Sequence, residues 1–151
     1  MPQSLVQIYL HIIFSTKHRR PFLEDKKVRE RTHAYLVGAC RNLECPSLIV
    51  GGVADHVHLL TRHSKNITVA DFLRELKRQS SKWVKTIDPV LSAFHWQNGY
   101  GAFSVSPSQV EVVKSYIAKQ EEHHLRRSFK DEFRWICEKY GVEIDERYVW
   151  D

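Results

Sequence analysis

The residues of this chain best suited to chemistry are His56 and His58, in the run Asp55-His56-Val57-His58-Leu59-Leu60. The run reads as a β-strand, and side chains at i and i+2 of a strand leave the same face. The two imidazoles therefore stand side by side, roughly 7 Å apart at the backbone, with Val57 turned the other way. Neutral imidazole is a common metal ligand, and two converging on one point begin a metal site. They do not complete it. Half-exposed strand histidines with no ligand show the same spacing, so a further donor has to come from elsewhere.

A helix spanning 107–126 offers one. It puts Tyr116 and Gln120 four residues apart on one face, about 5–6 Å from each other, at the border of the apolar arc of Val110, Val113 and Ile117. Gln120 supplies a neutral oxygen. Tyr116 supplies a phenol, which becomes a nucleophile once it is deprotonated or bonded to a base. A packed helix tyrosine with a solvated hydroxyl would fit the same pattern. His123 and His124 follow closely and read as exposed helix-end histidines rather than ligands.

The elements that must position these residues follow from periodicity. Residues 5–14 (LVQIYLHIIF) read as a strand, and 25–42 as a helix with Val28, Thr32, Tyr35, Leu36 and Ala39 at helical spacing. Residues 47–53 and 57–62 read as two strands of an antiparallel hairpin. A second helix covers 69–87, with Thr68 as N-cap and Asp71 completing a capping-box-like start. Residues 94–97 and 102–106 look extended. Ser106 and Pro107 open the tyrosine helix, and a short last helix, 130–140, stops at Gly141. The order β-α-β-β-α-β-α predicts an α+β, ferredoxin-like sandwich. It is an antiparallel sheet with helices on one face, plus a short C-terminal helix and tail, in a single domain over 1–151.

Composition narrows the partners. The 151 residues carry a formal net charge of +5, with nine histidines besides, which favours a polyanion such as nucleic acid. The second helix sorts Phe72, Leu73, Leu76, Trp83, Val84 and Ile87 onto one arc and its basic residues onto the other. Arg74, Arg78, Lys82 and Lys85 form a stripe suited to phosphates, and Lys17, Arg19 and Arg20 can extend it. A solvated charged face is the plainer reading of such a stripe. If it does hold DNA, affinity is expected to fall by roughly 0.7–0.9 log units per log unit of salt for each phosphate contact. A hairpin titrated at several ionic strengths measures that slope. The three cysteines, Cys40, Cys45 and Cys137, form no C-x-x-C pair and fit a reducing cytoplasm, with Cys40 and Cys137 read as packed on helix faces. No signal-peptide pattern and no apolar run of membrane-spanning length are visible.

Four stretches together carry a family resemblance: GVADHVHLL (52–60), WQNGYGAFSVS (96–106), YIAKQEEHH (116–124) and DERYVWD (145–151). In this order the chain resembles the single-tyrosine, IS200-like transposases of the His-hydrophobic-His (HUH) endonuclease superfamily, over almost its whole length. The resemblance implies a homodimer that binds hairpin ends of a mobile element and cuts and rejoins single-stranded DNA. It implies a divalent ion, Mg2+ or Mn2+, held by His56, His58 and Gln120. It implies Tyr116 as the nucleophile, joined to the DNA 5′ end in a covalent intermediate. Such an ion would polarise the scissile phosphate and stabilise charge on the leaving oxygen. Imidazole ligands alone would not select magnesium. Two other readings compete. One is a domesticated relative acting on repeated chromosomal hairpins. The other is a non-catalytic nucleic-acid-binding module that stacks bases on sheet aromatics such as Tyr9 and Phe103.

Overall fold

The runs of β-branched and aromatic residues form four strands in the structure, a computed structural model that describes residues 3–150. They are β1 (Tyr9–Ser15), β2 (Ser47–Gly52), β3 (His56–Arg62) and β4 (Gly101–Val105), in the order β2-β3-β1-β4 with every neighbouring pair antiparallel. The helices are α1 (Lys26–Asn42), α2 (Val69–Val84), α3 (Val110–Ala118), α4 (Gln120–His123) and α5 (Phe129–Lys139). This is the expected α+β sandwich. Asp151, the last residue of the C-terminal stretch that carries the resemblance, lies outside the described residues.

Alternation along the two central strands divides the molecule. Ile12 and Phe14 lie opposite Leu59 and Val57. They pack with Leu36 of α1 and Phe72, Leu73 and Leu76 of α2 in the larger core. Ile13 and Ser15 lie opposite His58 and His56 and face the other way. There α5 contributes Phe129, Phe133 and Ile136 against Ile13 and Phe103, and α3 contributes Val110 and Ile117 against Leu60 and Val105. So α1 and α2 cover one face, and α3 to α5 close the other, which corrects the expectation of helices on one face only: the tyrosine helix and the C-terminal helix carry apolar arcs of their own and bury them on the second face. That closure buries β1 and β3 on both sides, which explains their nearly unbroken apolar sequences.

Helix starts follow the caps. The side chains of Asp25, Thr68 and Ser128 each accept a backbone N–H of the first turn. Ser106 does not act as expected, and its hydroxyl meets that of Ser108 instead. The expected long third helix is interrupted. Lys119 leaves helical geometry (φ −104°, ψ 23°) and its N–H donates to the Tyr116 carbonyl, three residues back. Gln120 therefore begins a new turn and is almost wholly buried.

Close approach of α3 to the sheet depends on Gly51. A Cβ there would stand 2.7 Å from the Ile117 carbonyl oxygen and 3.0 Å from Ile117 Cγ2. Gly51→Ala is expected to push α3 outward and cost about 1–3 kcal/mol of stability, read as a lowered thermal midpoint.

Candidate metal and nucleophile site

His56 and His58 project from β3 as the spacing predicts, both fully buried, with ring centroids 5.2 Å apart. What they converge on is Glu132, in the first turn of α5. Its Oε1 lies 3.2 Å from His56 Nε2, 3.0 Å from His58 Nε2 and 2.9 Å from His124 Nε2. Its Oε2 accepts from Gln120 Nε2 at 3.1 Å and from the Tyr116 hydroxyl. One carboxylate thus gathers both histidines, the tyrosine and the glutamine. His56, His58 and Glu132 each offer a ligand atom, all within 4.8 Å of one another. Two imidazole nitrogens and a carboxylate oxygen form a donor set that suits a divalent ion of the first transition row.

Each histidine is also held from behind. Nδ1 of His56 donates to Asp55 Oδ1 at 2.7 Å, and Nδ1 of His58 lies 2.9 Å from Nε2 of the buried His11 on β1. Asp55 sits in the β2–β3 turn, where the Thr16 N–H donates to its carbonyl and the Leu23 N–H donates to the carbonyl of Ala54.

Charge in the cluster is set by burial against hydrogen bonding. Burial alone would raise the Glu132 carboxyl, but hydrogen bonds from His124, His56 and His58 outweigh it and hold the group ionised far below the usual range. For His56, burial is likewise outweighed, by Asp55 and Glu132, and the ring rises to about 9. A cation on its Nε2 therefore displaces a proton at neutral pH. Burial keeps His58 down at about 4 and His11 at about 3, both neutral. The Tyr116 phenol is raised, by burial first and then by its bond to the ionised Glu132.

The predicted site residues fare differently. Tyr116 and Gln120 reach the cluster despite the break between α3 and α4, and Gln120 Oε1 is 3.3 Å from His56 Nε2. His123 and His124 are not exposed as expected. The His123 ring stacks on Tyr116 at 4.5 Å, and the His124 ring lies 4.4 Å from that of His56. Arg74 and Arg78 are exposed along a groove of about 330 Å³ between α2 and residues 95–100, paired with Asp71 and Glu75. Lys82 is exposed and Lys85 half-buried, and neither lines that groove. Lys17 and Arg20 are exposed, while Arg19 donates to the Trp150 carbonyl at 2.9 Å and fastens the C-terminal segment. Phe103 is buried and stacked on Tyr140, and Tyr9 packs beneath α3, so the sheet offers no open base-stacking platform there. Cys40 and Cys137 are buried, as expected, and so is Cys45.

Sequence reasoning missed Glu132, Asp55 as an orienting group, and His11. Glu132 did leave a signal. It sits among Phe129, Phe133 and Ile136 on the apolar arc of α5, where a carboxylate is out of place unless it is paired. His11 likewise interrupts the apolar run of β1.

No curated protein matches the chain. Among solved structures, one from Deinococcus radiodurans, described as a candidate transposase, superposes with a TM-score of 0.61 at 22% identity, covering 78% of this chain and 93% of that one. A REP-associated tyrosine transposase bound to a REP hairpin superposes with a TM-score of 0.59 at 12% identity, covering 81% of this chain and 72% of that one. At these identities both establish the fold. The family model described as Transposase IS200 like matches residues 4–120, which hold β1 to β4, both strand histidines, Tyr116 and Gln120. On that match, the chain belongs to the IS200-like transposase family.

Proposed function

We propose that this transposase cuts and rejoins single-stranded DNA at hairpin ends through a covalent 5′-phosphotyrosine on Tyr116, with a divalent ion held by His56, His58 and Glu132. The carrying observation is the convergence of both histidine Nε2 atoms, Gln120 and the Tyr116 hydroxyl on one carboxylate. Gln120, whose amide oxygen lies beside His56 Nε2, is a further oxygen donor to the same ion. When bound, the ion polarises the scissile phosphate and stabilises charge on the leaving oxygen. Mn2+ suits two imidazoles better than Mg2+ does, and the carboxylate brings both within reach.

The chain's own residues supply the rest. Glu132 aims the phenol oxygen, and the His123 ring holds the tyrosine ring from its face. Tyr116, His123 and His124 are the half-buried members of the cluster, so a phosphate approaches from their side. Arg126 and Arg127 line a surface cavity of about 580 Å³ next to His123 and supply positive charge there. Tyr116 Oη attacks phosphorus as its proton passes to Glu132 Oε2, the P–O3′ bond breaks and the 3′ oxygen leaves and takes up a proton from water, and the phosphotyrosine bond keeps the energy of the broken phosphodiester for rejoining. The hairpin bound by the REP-associated neighbour supports hairpin DNA as the partner. Lys17, Arg20, Lys82 and Lys85, with Arg74 and Arg78 in their surface ion pairs to Asp71 and Glu75, are basic residues that can meet its phosphates, and a homodimer is the assembly the family implies. Among the described residues no helix is long and apolar enough to cross a membrane.

The test is a cutting assay on single-stranded hairpin DNA. With Mn2+ the oligonucleotide should be cleaved and a protein–DNA adduct should form, and with excess chelator both should vanish. Cleavage that survives chelation overturns the metal role.

A further inference from the structure

We propose that His11 is a positioning residue for the metal site: once a cation is bound, its Nε2 accepts the hydrogen bond from the proton carried on Nδ1 of His58, which leaves the Nε2 lone pair of His58 for the cation beside Glu132. The inference rests on the metal reading given above.

A histidine binds a cation through an unprotonated ring nitrogen, so the other nitrogen carries the proton and needs an acceptor. His56 has a carboxylate for this purpose, with Asp55 Oδ1 at 2.7 Å from its Nδ1. Among the described residues no carboxylate stands behind His58, and its Nδ1 meets His11 Nε2, at 2.9 Å, with ring centroids 5.2 Å apart and ring planes tilted by 31°. His11 is 2% exposed, and its ring is flanked by Tyr116 and Tyr140 at centroid distances of 6.4 and 6.3 Å. Register explains the meeting. Ile13 lies opposite His58, so His11 is its diagonal neighbour on the same sheet face, within reach of a long side chain.

An imidazole behind His58 does something a carboxylate cannot. With the proton on His58 Nε2, that ring donates to Glu132 and accepts from His11. With the proton on Nδ1, it donates to His11 and presents a bare Nε2. Both rings are neutral in either arrangement, so the pair holds two N–H protons throughout and only their positions differ. Asp55 accepts and cannot donate. His11 fits both tautomers of its partner.

The test compares His11→Leu with His11→Gln, whose amide can accept or donate near the same position. Mn2+ binding is followed by the loss of the free-ion electron paramagnetic resonance signal, with no DNA present. His11→Leu should bind about 10–100-fold more weakly, the range for loss of an outer-shell partner, while His11→Gln stays within about threefold of the parent. In Mg2+-loaded protein, nitrogen-resolved NMR of the rings should find the His58 proton on Nδ1. Equal affinity of His11→Leu and the parent overturns the proposal, and so does equal weakening by both substitutions, which would mark packing alone. A His58 Nδ1 without its proton in the loaded protein also overturns it. A parent protein that binds no Mn2+ removes the metal reading itself, and this inference with it.

Discussion

Tyr116→Phe is expected to abolish DNA cleavage, by at least about 10⁴-fold, while hairpin binding stays within about twofold of the parent. The substitution removes one oxygen. The ring that stacks on His123 remains, so α3 keeps its place. Glu132 keeps Gln120, His124 and both strand histidines, so the cluster survives the loss of one donor. A hydrogen bond to a charged group is worth about 1.5–3 kcal/mol, which bounds the loss of stability. No other group in the cluster has the phenol's combination of reach and nucleophilicity. A radiolabelled oligonucleotide run on a denaturing protein gel reads the adduct directly. An adduct that persists in Tyr116→Phe, attached to another residue, would sink the assignment.

Removing Glu132 should have the second largest effect, and two substitutions separate its roles. Glu132→Leu leaves the Tyr116 hydroxyl, the Gln120 amide and the His124 N–H without their acceptor inside the protein. That should cost about 3–5 kcal/mol of folding stability, measured by denaturant unfolding. Glu132→Gln keeps an acceptor oxygen and the volume but loses the charge. It should fold and bind Mn2+ at least about tenfold more weakly. The pH dependence checks the same group. Glu132 has a folded pKa well below its unfolded one, so its contribution is complete above the unfolded value of 4.5 and is lost as pH falls below it. His11 and His58 are held neutral, with folded values of about 3 and 4 against 6.5 unfolded. The unfolded chain takes up their protons first, so stability also drops as pH falls from 6.5 toward 4. Glu132→Gln should flatten the limb below pH 4.5 and leave the histidine limb above it. An unchanged acid limb would contradict the charged state given to Glu132.

The β-branched and aromatic runs of the central strands made the sheet legible from sequence, and period two put His56 and His58 on one face. The cap at Thr68 fixed the start of α2 for a local reason that sequence displays. Tyr116 and Gln120 were reached through the family resemblance, since a helical tyrosine has an ordinary packing explanation. The break at Lys119 escaped because nothing in the run YIAKQEEHH demands it; burial of the Gln120 amide against His56 and Glu132 offsets the lost helical geometry. Glu132 escaped for a different reason. An acidic residue four positions after the capping Ser128 complements the helix dipole, and that local account of it is complete. Its actual partners come from β3, α3 and α4, which no window along α5 contains. Outer supports of a site are in general less legible than its ligands, because an Asp or His that orients a neighbour follows no fixed spacing.

The backbone hydrogen bonds from Thr16 and Leu23 onto Asp55 and Ala54 carry one last consequence. The turn that bears Asp55 takes its shape from a segment more than thirty residues earlier in the chain. A peptide spanning β2 and β3 would keep both imidazoles at their two-residue interval and lose the tether that points Asp55 at His56. The His-x-His hairpin is therefore not portable. Grafted onto another sheet it would bring two rings, each free to choose which nitrogen faces the cation.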